Sequence, residues 1–196
     1  SMKALRGSVQ AFGEPITTHR KAGHIAYMAQ REAIEWDFPV SVWETVMGGR
    51  YGHMRNDPLW RRLLPARWYD PRHGEAVHRA LEAVDMLALA KRPIGALSGG
   101  QKKRVLLART LAQQANILLL DEPLAGVDPP SERLILDVLA REREAGRTVI
   151  MVTHDMPGAR RHVDHVVLIN RFIRGVGAPD EMLSDAKLAE LAVSST

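Results

Sequence analysis

The chain has 196 residues and a mass of 21.8 kDa, with 45% hydrophobic and 26% charged residues, the balance of a globular domain able to bury a core. It has no cysteine, which excludes disulfides and thiolate metal sites and suits the cytoplasm; its strongest apolar runs, 117–120 and 166–169, are too short to span a bilayer. Twenty-seven basic residues against 23 acidic ones give a net charge of +4, but the two signs are interspersed, the pattern of a solvated surface, and no nucleic-acid partner is expected.

Residues 1–15 give no clear element. Residues 24–29 read as a strand. Residues 41–47 read as a short helix, with Ser41 as N-cap and Glu44 three positions on, ended by Gly48 and Gly49. A loop-rich stretch, 50–70, holds Pro58, Trp60, Pro65 and Trp68. Residues 71–89 read as one amphipathic helix with Val77, Leu81, Val84 and Leu87 on a single face. Ser98-Gly99-Gly100 opens a helix to about residue 113, with Val105, Ala108, Leu111 and Ala112 inward. The run 116–120 ends in acid and predicts a strand buried on both faces of a parallel sheet. Residues 131–145 predict a helix closed by Gly146, and 148–153 a second buried strand. Residues 164–169 and 172–176 predict two more strands, as a hairpin or meander, and 180–191 a last helix. Strands alternating with helices argue for an α/β fold with a mostly parallel sheet.

Asp121 and Glu122 end the strand 116–120, where ligands of open parallel sheets bind. One acid there can hold Mg²⁺ and its neighbour can orient or deprotonate a water. A solvated strand end would carry the same residues. His154 ends the next strand in the same way and suits contact with a terminal phosphate. Leu97-Ser98-Gly99-Gly100-Gln101 places two glycines at a helix start, which is an anion cradle or an ordinary serine N-cap. Of the 8 histidines, His73 and His78 are expected to face solvent. His162 and His165 flank Asp164 without the ligand set of a structural metal, and none is expected.

Together these strings resemble the nucleotide-binding domain of ABC transporters. Residues 97–101, followed by Arg104-Val105 and Leu107-Ala108-Arg109, resemble the signature motif and its helix. Residues 117–122 resemble the Walker B strand with its glutamate, residues 125–128 the D-loop with Asp128, His154 the switch histidine, and Gln30 the Q-loop glutamine. The resemblance implies a P-loop NTPase-like core with a mostly parallel sheet plus a helical subdomain at 40–97, within one domain over 1–196 whose remainder, 98–196, carries the other motifs. It implies ATP and Mg²⁺ as ligands: Gln30 and Asp121 on the metal and phosphates, Glu122 and His154 in catalysis, and Leu97, Ser98, Gly99, Gly100 and Gln101 on the partner's ATP. Residues 31–40 and 47–53 further resemble importers of manganese, zinc or iron. That implies a membrane permease touching Glu35, Trp36, Asp37, Phe38, Arg50 and Tyr51, a second ATP-binding subunit forming a dimer, and an extracytoplasmic metal-binding protein. The implied location is peripheral, on the cytoplasmic face of the membrane.

The family's Walker A loop, Gly-x-x-x-x-Gly-Lys-[Ser/Thr], supplies the amides and lysine that hold the phosphates. None of the 15 glycines here is followed by lysine. The order of the surviving motifs predicts an N-terminally truncated domain, lacking its first strands and the loop, with Lys3-Ala4-Leu5 resembling the last turn of the helix that would follow it. Alone, such a chain is expected to be inactive. Its alternative role is a non-catalytic module pairing with an intact subunit.

Overall fold

A computed structural model of the chain describes residues 7–30, 36–54 and 70–184. They divide into two compact units, Ser1–Val152 and Thr153–Thr196, so the 40–97 stretch falls inside the first and shares its core.

The first unit opens on a hairpin, β1 (Gln10–Ala11) against β2 (Glu14–Pro15). Phe12 and Gly13 turn it with φ of 52° and 79°, the left-handed pair that a two-residue hairpin takes. Helix α1 (Ile16–Ala22) follows directly. It escapes sequence reading because Pro15 stands at its N-cap without a capping side chain and it has only 7 residues. Gly23, at φ 78°, ends it in a left-handed turn.

A parallel sheet in the order β3 (Ile25–Met28), β4 (Ile117–Asp121), β5 (Thr148–Val152) carries the site. On one face, Ala26, Met28, Leu118 and Leu120 are buried in the core cluster that includes helices α5 (Gly99–Leu111) and α6 (Pro129–Glu144). Leu107, Leu118, Leu120 and Ile135 are fully buried, each stabilising the fold by about 2 kcal/mol. The other face differs from expectation. Tyr27, Ile150 and Val152 are exposed, and β5 alternates between exposed and half-buried residues. Apolar composition made β4 and β5 look buried on both sides; composition reports what a strand tolerates, not what covers it.

The helical part begins at α2 (Val42–Met47), closed by a reciprocal cap: the Glu44 N–H donates to Ser41 Oγ (3.2 Å) and the Ser41 N–H to Glu44 Oε2 (2.8 Å). The Ser41 hydroxyl and then its N–H hold the Glu44 carboxyl below the usual carboxylate range. Ser41→Ala is expected to cost about 1 kcal/mol, read as a lowered urea midpoint.

Helix α2 ends at its cap, Gly48, as the sequence predicts, but Gly48 and Gly49 do not end the helical run. The chain continues through a 3₁₀ turn, Gly48–Arg50, into α3 (Tyr51–Met54). The glycines serve packing instead: a Cβ on Gly49 would overlap the Arg109 carbonyl oxygen of α5. Helix α4 (Pro71–Ala83) starts on an Asp70 cap and stops six residues before the predicted end. Asp85 adopts φ 52°, and the Arg104 guanidinium donates to the Val84 carbonyl at 3.3 Å, bracing the turn from α5. Short 3₁₀ turns, Leu87–Leu89 and Ile94–Ala96, then lead to the 97–101 motif.

The second unit holds α7 (Met156–His162), the hairpin β6 (Val166–Asn170) and β7 (Phe172–Gly177), and one turn, α8 (Pro179–Met182). Arg171, at φ 57°, makes the hairpin turn. Leu168, Met182 and Leu183 form its small core with Val166, and Arg160 pairs with Asp180 at 2.8 Å. The helix predicted over 180–191 is a single turn that stops at Met182, with Leu183 as its cap; 185–191, like Lys3-Ala4-Leu5, Pro58, Trp60, Pro65 and Trp68, lies outside the described residues. No described helix is long and apolar enough to cross a membrane.

Candidate functional site

The parallel register pairs Met28 with Leu120 and Asp121 with Val152. Gln30 follows the end of β3 by two residues and Glu122 follows the end of β4 by one, so both lie just beyond the carboxyl ends of adjacent strands. The Tyr27 hydroxyl donates to Asp121 Oδ2 at 3.3 Å, tying β3 to the acid pair. Asp121 and Glu122 are half-buried and Gln30 is exposed.

Glu122 has φ 50°, a left-handed conformation that costs a non-glycine residue about 1 kcal/mol or more. Two bonds hold it there. Its N–H donates to the Val152 carbonyl at 3.0 Å, and Lys103 Nζ donates to its carbonyl at 3.0 Å. Burial pushes the Lys103 ammonium below the ordinary lysine range, while the Glu122 and Asp121 charges pull it back up. Lys103 was not a sequence candidate. It sits inside the helix opened by Ser98, and nothing in spacing shows that its ammonium reaches a strand end 19 residues on.

The 97–101 motif is both an N-cap and an exposed helix start. The Gln101 N–H donates to Ser98 Oγ (3.3 Å), and the Ser98 N–H donates to Gln101 Oε1 (3.0 Å). Leu97 is buried beneath it, and Ser98 and Gly99 are exposed. Gly100 is buried for a specific reason. A Cβ there would overlap the Asp128 carboxylate and come within 2.8 Å of Ser131 Oγ. Asp128 in turn caps α6 by accepting the Ser131 N–H at 3.2 Å. The first turns of α5 and α6 therefore touch, and their positive ends lie together.

The Ser131 N–H, helped by the Ser131 hydroxyl and the Arg104 charge, holds the Asp128 carboxyl below its usual range. Its folded value, like that of Glu44, is depressed, so both caps contribute stability above the ordinary carboxylate range and lose it as pH falls through the folded values. An acid titration followed by circular dichroism is expected to show Asp128→Asn and Ser41→Ala variants with a shallower loss than the parent.

The expected docking residues separate. Phe38 and Tyr51 are 58% and 60% exposed, and Asp37 is exposed beside them in sequence. Trp36 is half-buried, with the Lys102 ammonium of α5 4.8 Å from its ring centroid. A Cβ on Gly95 would meet the Trp36 carbonyl at 2.8 Å, so this segment rests against the turn before the 97–101 motif. Glu35 lies outside the described residues.

Arg50 is 5% exposed. Its guanidinium donates to the Ala112 carbonyl (2.7 Å), Gln114 Oε1 (3.0 Å) and His73 Nδ1 (3.2 Å). His73, expected in solvent, is buried as its partner, whereas His78 is exposed. His53 Nε2 lies 2.7 Å from the Gln113 carbonyl; burial, with the Arg50 and His73 charges, lowers the affinity of its ring for a proton. The segment 48–54 thus clasps the C-terminal end of α5. A cleft of about 450 Å³ beside this clasp, lined by Arg20, Tyr27, His53 and Arg109, does not include Gln30, Asp121 or Glu122. His154 belongs to the second unit, two residues after β5, and is exposed.

A sequence profile described as ABC transporter matches residues 1–125. The chain is 42% identical over 176 residues to the chelated iron transport system membrane protein YfeB of Yersinia pestis, covering 90% of this chain and 56% of the relative. It is 38% identical over 187 residues to the manganese transport system ATP-binding protein MntA of Synechocystis, covering 95% and 68%. It is 37% identical over 172 residues to the zinc transport system ATP-binding protein TroB of Treponema pallidum, covering 88% and 60%. Among solved structures, cbiO1 of Clostridium perfringens, part of the ABC transporter complex cbiONQ, superposes with a TM-score of 0.70 at 28% identity, covering 96% of this chain and 72% of that one. A nucleotide-free ATP-binding cassette with a TM-score of 0.74 is 21% identical and speaks for the fold alone. The chain therefore spans little more than half to about two thirds of the relatives compared by sequence.

Proposed function

This chain belongs to the ABC transporter family, and from that premise we propose that it is an ATP-binding subunit energising the import of a manganese-, zinc- or iron-class ion. The observation that carries the reading is the carboxyl end of the sheet, where β4 ends in Asp121 beside Glu122, Gln30 follows the adjacent β3, and Tyr27 ties β3 to Asp121. Gln30 and Asp121 offer only oxygen donors, which fits a hard ion such as Mg²⁺. Bound there with ATP, that ion would supply charge neutralisation on the phosphates.

The protein's own residues do the rest. Glu122 accepts the proton of an attacking water, with its backbone pinned from two sides. His154 donates to the terminal phosphate. Leu97, Ser98, Gly99, Gly100 and Gln101 present backbone amides and the Ser98 hydroxyl to the ATP of a second ATP-binding subunit, and Asp128 lies where the two subunits meet. Trp36, Asp37, Phe38 and Tyr51, with Glu35, form the surface for the membrane permease. Arg50 braces that surface from inside. An extracytoplasmic metal-binding protein delivers the ion, and this subunit is peripheral on the cytoplasmic face.

The absence of a glycine–lysine pair from these 196 residues favours a second reading for a polypeptide of this sequence alone. It would bind ATP weakly, hydrolyse none, and donate the Ser98 face to an intact partner. The two readings separate on the transporter complex isolated from its cell. Under the first, Glu122→Gln lowers Mg²⁺-dependent ATP hydrolysis by about a hundredfold or more. Under the second, Glu122→Gln changes nothing and only Ser98→Arg abolishes turnover. Hydrolysis untouched by either variant refutes both.

A further inference from the structure

We propose that His19 and His24 form a site for one late first-row divalent ion of the zinc class, held by two imidazole nitrogens and completed by water. The fold builds the pair. Gly23 ends α1 in the left-handed conformation, the chain doubles back, and the His24 N–H bonds to the His19 carbonyl at 2.9 Å. The two rings come to lie 5.3 Å apart at 38°. Their Nδ1 atoms face each other at 3.0 Å.

Two lone pairs cannot meet at that distance without a proton or a cation between them. Zinc–nitrogen bonds in a tetrahedral site set neighbouring ligand atoms about 3.3 Å apart, so the pair needs to open only by a few tenths of an ångström. The rest of the site is arranged for ligation. His19 is nine-tenths buried, and its Nε2 has no hydrogen-bond partner. Glu14 Oε2 lies 3.7 Å from that nitrogen. A proton on Nε2 faces that carboxylate from outside hydrogen-bond distance and leaves the Nδ1 lone pair pointing at His24; a closer approach of Glu14 would give the carboxylate–histidine–metal order that orients ligating imidazoles elsewhere. Phe12 packs edge-on against the His19 ring, with centroids 5.4 Å apart, and fixes its plane. His24 is exposed and gives the ion its entry.

Binding balances simply. Without the ion, His24 Nδ1–H donates to His19 Nδ1. With it, the His24 proton moves to solvent-facing Nε2, and both Nδ1 lone pairs bind the ion, with no net proton released from two neutral rings. Among the described residues no group of three or more acidic, histidine or cysteine side chains gathers, so water fills the other positions. Imidazole donors favour Zn²⁺, Ni²⁺ and Cu²⁺ over Mg²⁺. The pair lies at the start of β3, and Gln30 lies beyond its end, so this site is distinct from the sheet edge and does not depend on the proposed ATPase reading.

The test is zinc titration calorimetry on the tag-free 196-residue chain with millimolar Mg²⁺ present. One Zn²⁺ per chain is expected, weakened at least about tenfold by His24→Gln and less by Glu14→Gln, whose carboxylate acts through His19. X-ray absorption at the zinc edge should read two imidazoles in the parent. His24→Gln changes an exposed side chain, and circular dichroism checks that it folds. A parent that binds no more tightly than His24→Gln overturns the proposal. So does binding that survives His24→Gln and disappears in His162→Gln/His165→Gln.

Discussion

Replacing Gly49 by alanine is expected to destabilise the first unit by about 2–3 kcal/mol, the cost of forcing an extra atom into a closed contact. The added Cβ would overlap the Arg109 carbonyl oxygen. That oxygen belongs to the backbone of α5, so no rotamer change relieves the clash. Either α5 or the 3₁₀ turn must move, and α5 carries buried residues of the core while the turn carries the buried Arg50. Gly52 is the internal control. It lies three residues on, in α3, and a Cβ there meets nothing within 4 Å. Gly52→Ala should leave stability unchanged or raise it by about 0.5–1 kcal/mol through helix propensity. Thermal melts then separate the two alanines by roughly 5–10 °C. Equal melting temperatures would show that the Gly49 contact is not tight. The effect extends to function, because the Gly49 turn immediately precedes Tyr51, and Arg109 lies on the helix that begins at Ser98.

Local signals were legible and long-range ones were not. Ser41 with Glu44 read as a cap because the partners are three residues apart, and Ser98 read as an N-cap or an anion cradle; the structure closes both boxes and supplies Gln101 as the second partner of Ser98. The strands read from apolar runs, and the parallel sheet followed from their alternation with helices. Asp121 and Glu122 could be placed at a strand end because the apolar run before them stops in acid, whereas Gln30 rests on the motif resemblance alone. Other features depend on contacts that spacing cannot show. Arg50 and Tyr51 are neighbours in sequence, yet one is buried and the other exposed, since two of the acceptors of Arg50, on Ala112 and Gln114, lie more than 60 residues on. Gly100 looked like an anion cradle by composition; that its missing Cβ makes room for Asp128 needs the 125–128 loop in place. Helix α4 ended early because Asp85 takes a left-handed turn braced by Arg104, and an apolar face that continued to Leu87 hid the break.

Arg50→Ala is expected to cost about 3 kcal/mol, since each hydrogen bond from a charged donor contributes about 1.5–3 kcal/mol and the bonds share one group. The Ala112 carbonyl is at the C-terminal end of α5, where helix carbonyls lack intrahelical donors and a cation is favourable. A lysine has no planar fork and cannot serve Ala112, Gln114 and His73 together, so Arg50→Lys should recover less than half of the loss. His73→Ala should cost less than Arg50→Ala, and the double variant should cost less than the sum of the two. That cycle, measured by urea unfolding, distinguishes a clasp from two independent packing defects. If Arg50→Ala unfolds within about 0.5 kcal/mol of the parent, the clasp contributes nothing and the guanidinium is only buried mass. If the cost is as expected, the consequence for transport follows from continuity. The turn just before Tyr51 is bonded to one end of α5, Trp36 packs against Lys102 near the other, and Ser98 opens that same helix. Under the proposed function, a push on Phe38 and Tyr51 would reach Ser98 through one rigid element held at both ends, and loosening Arg50 would uncouple ATP turnover from transport before it abolished ATP turnover itself.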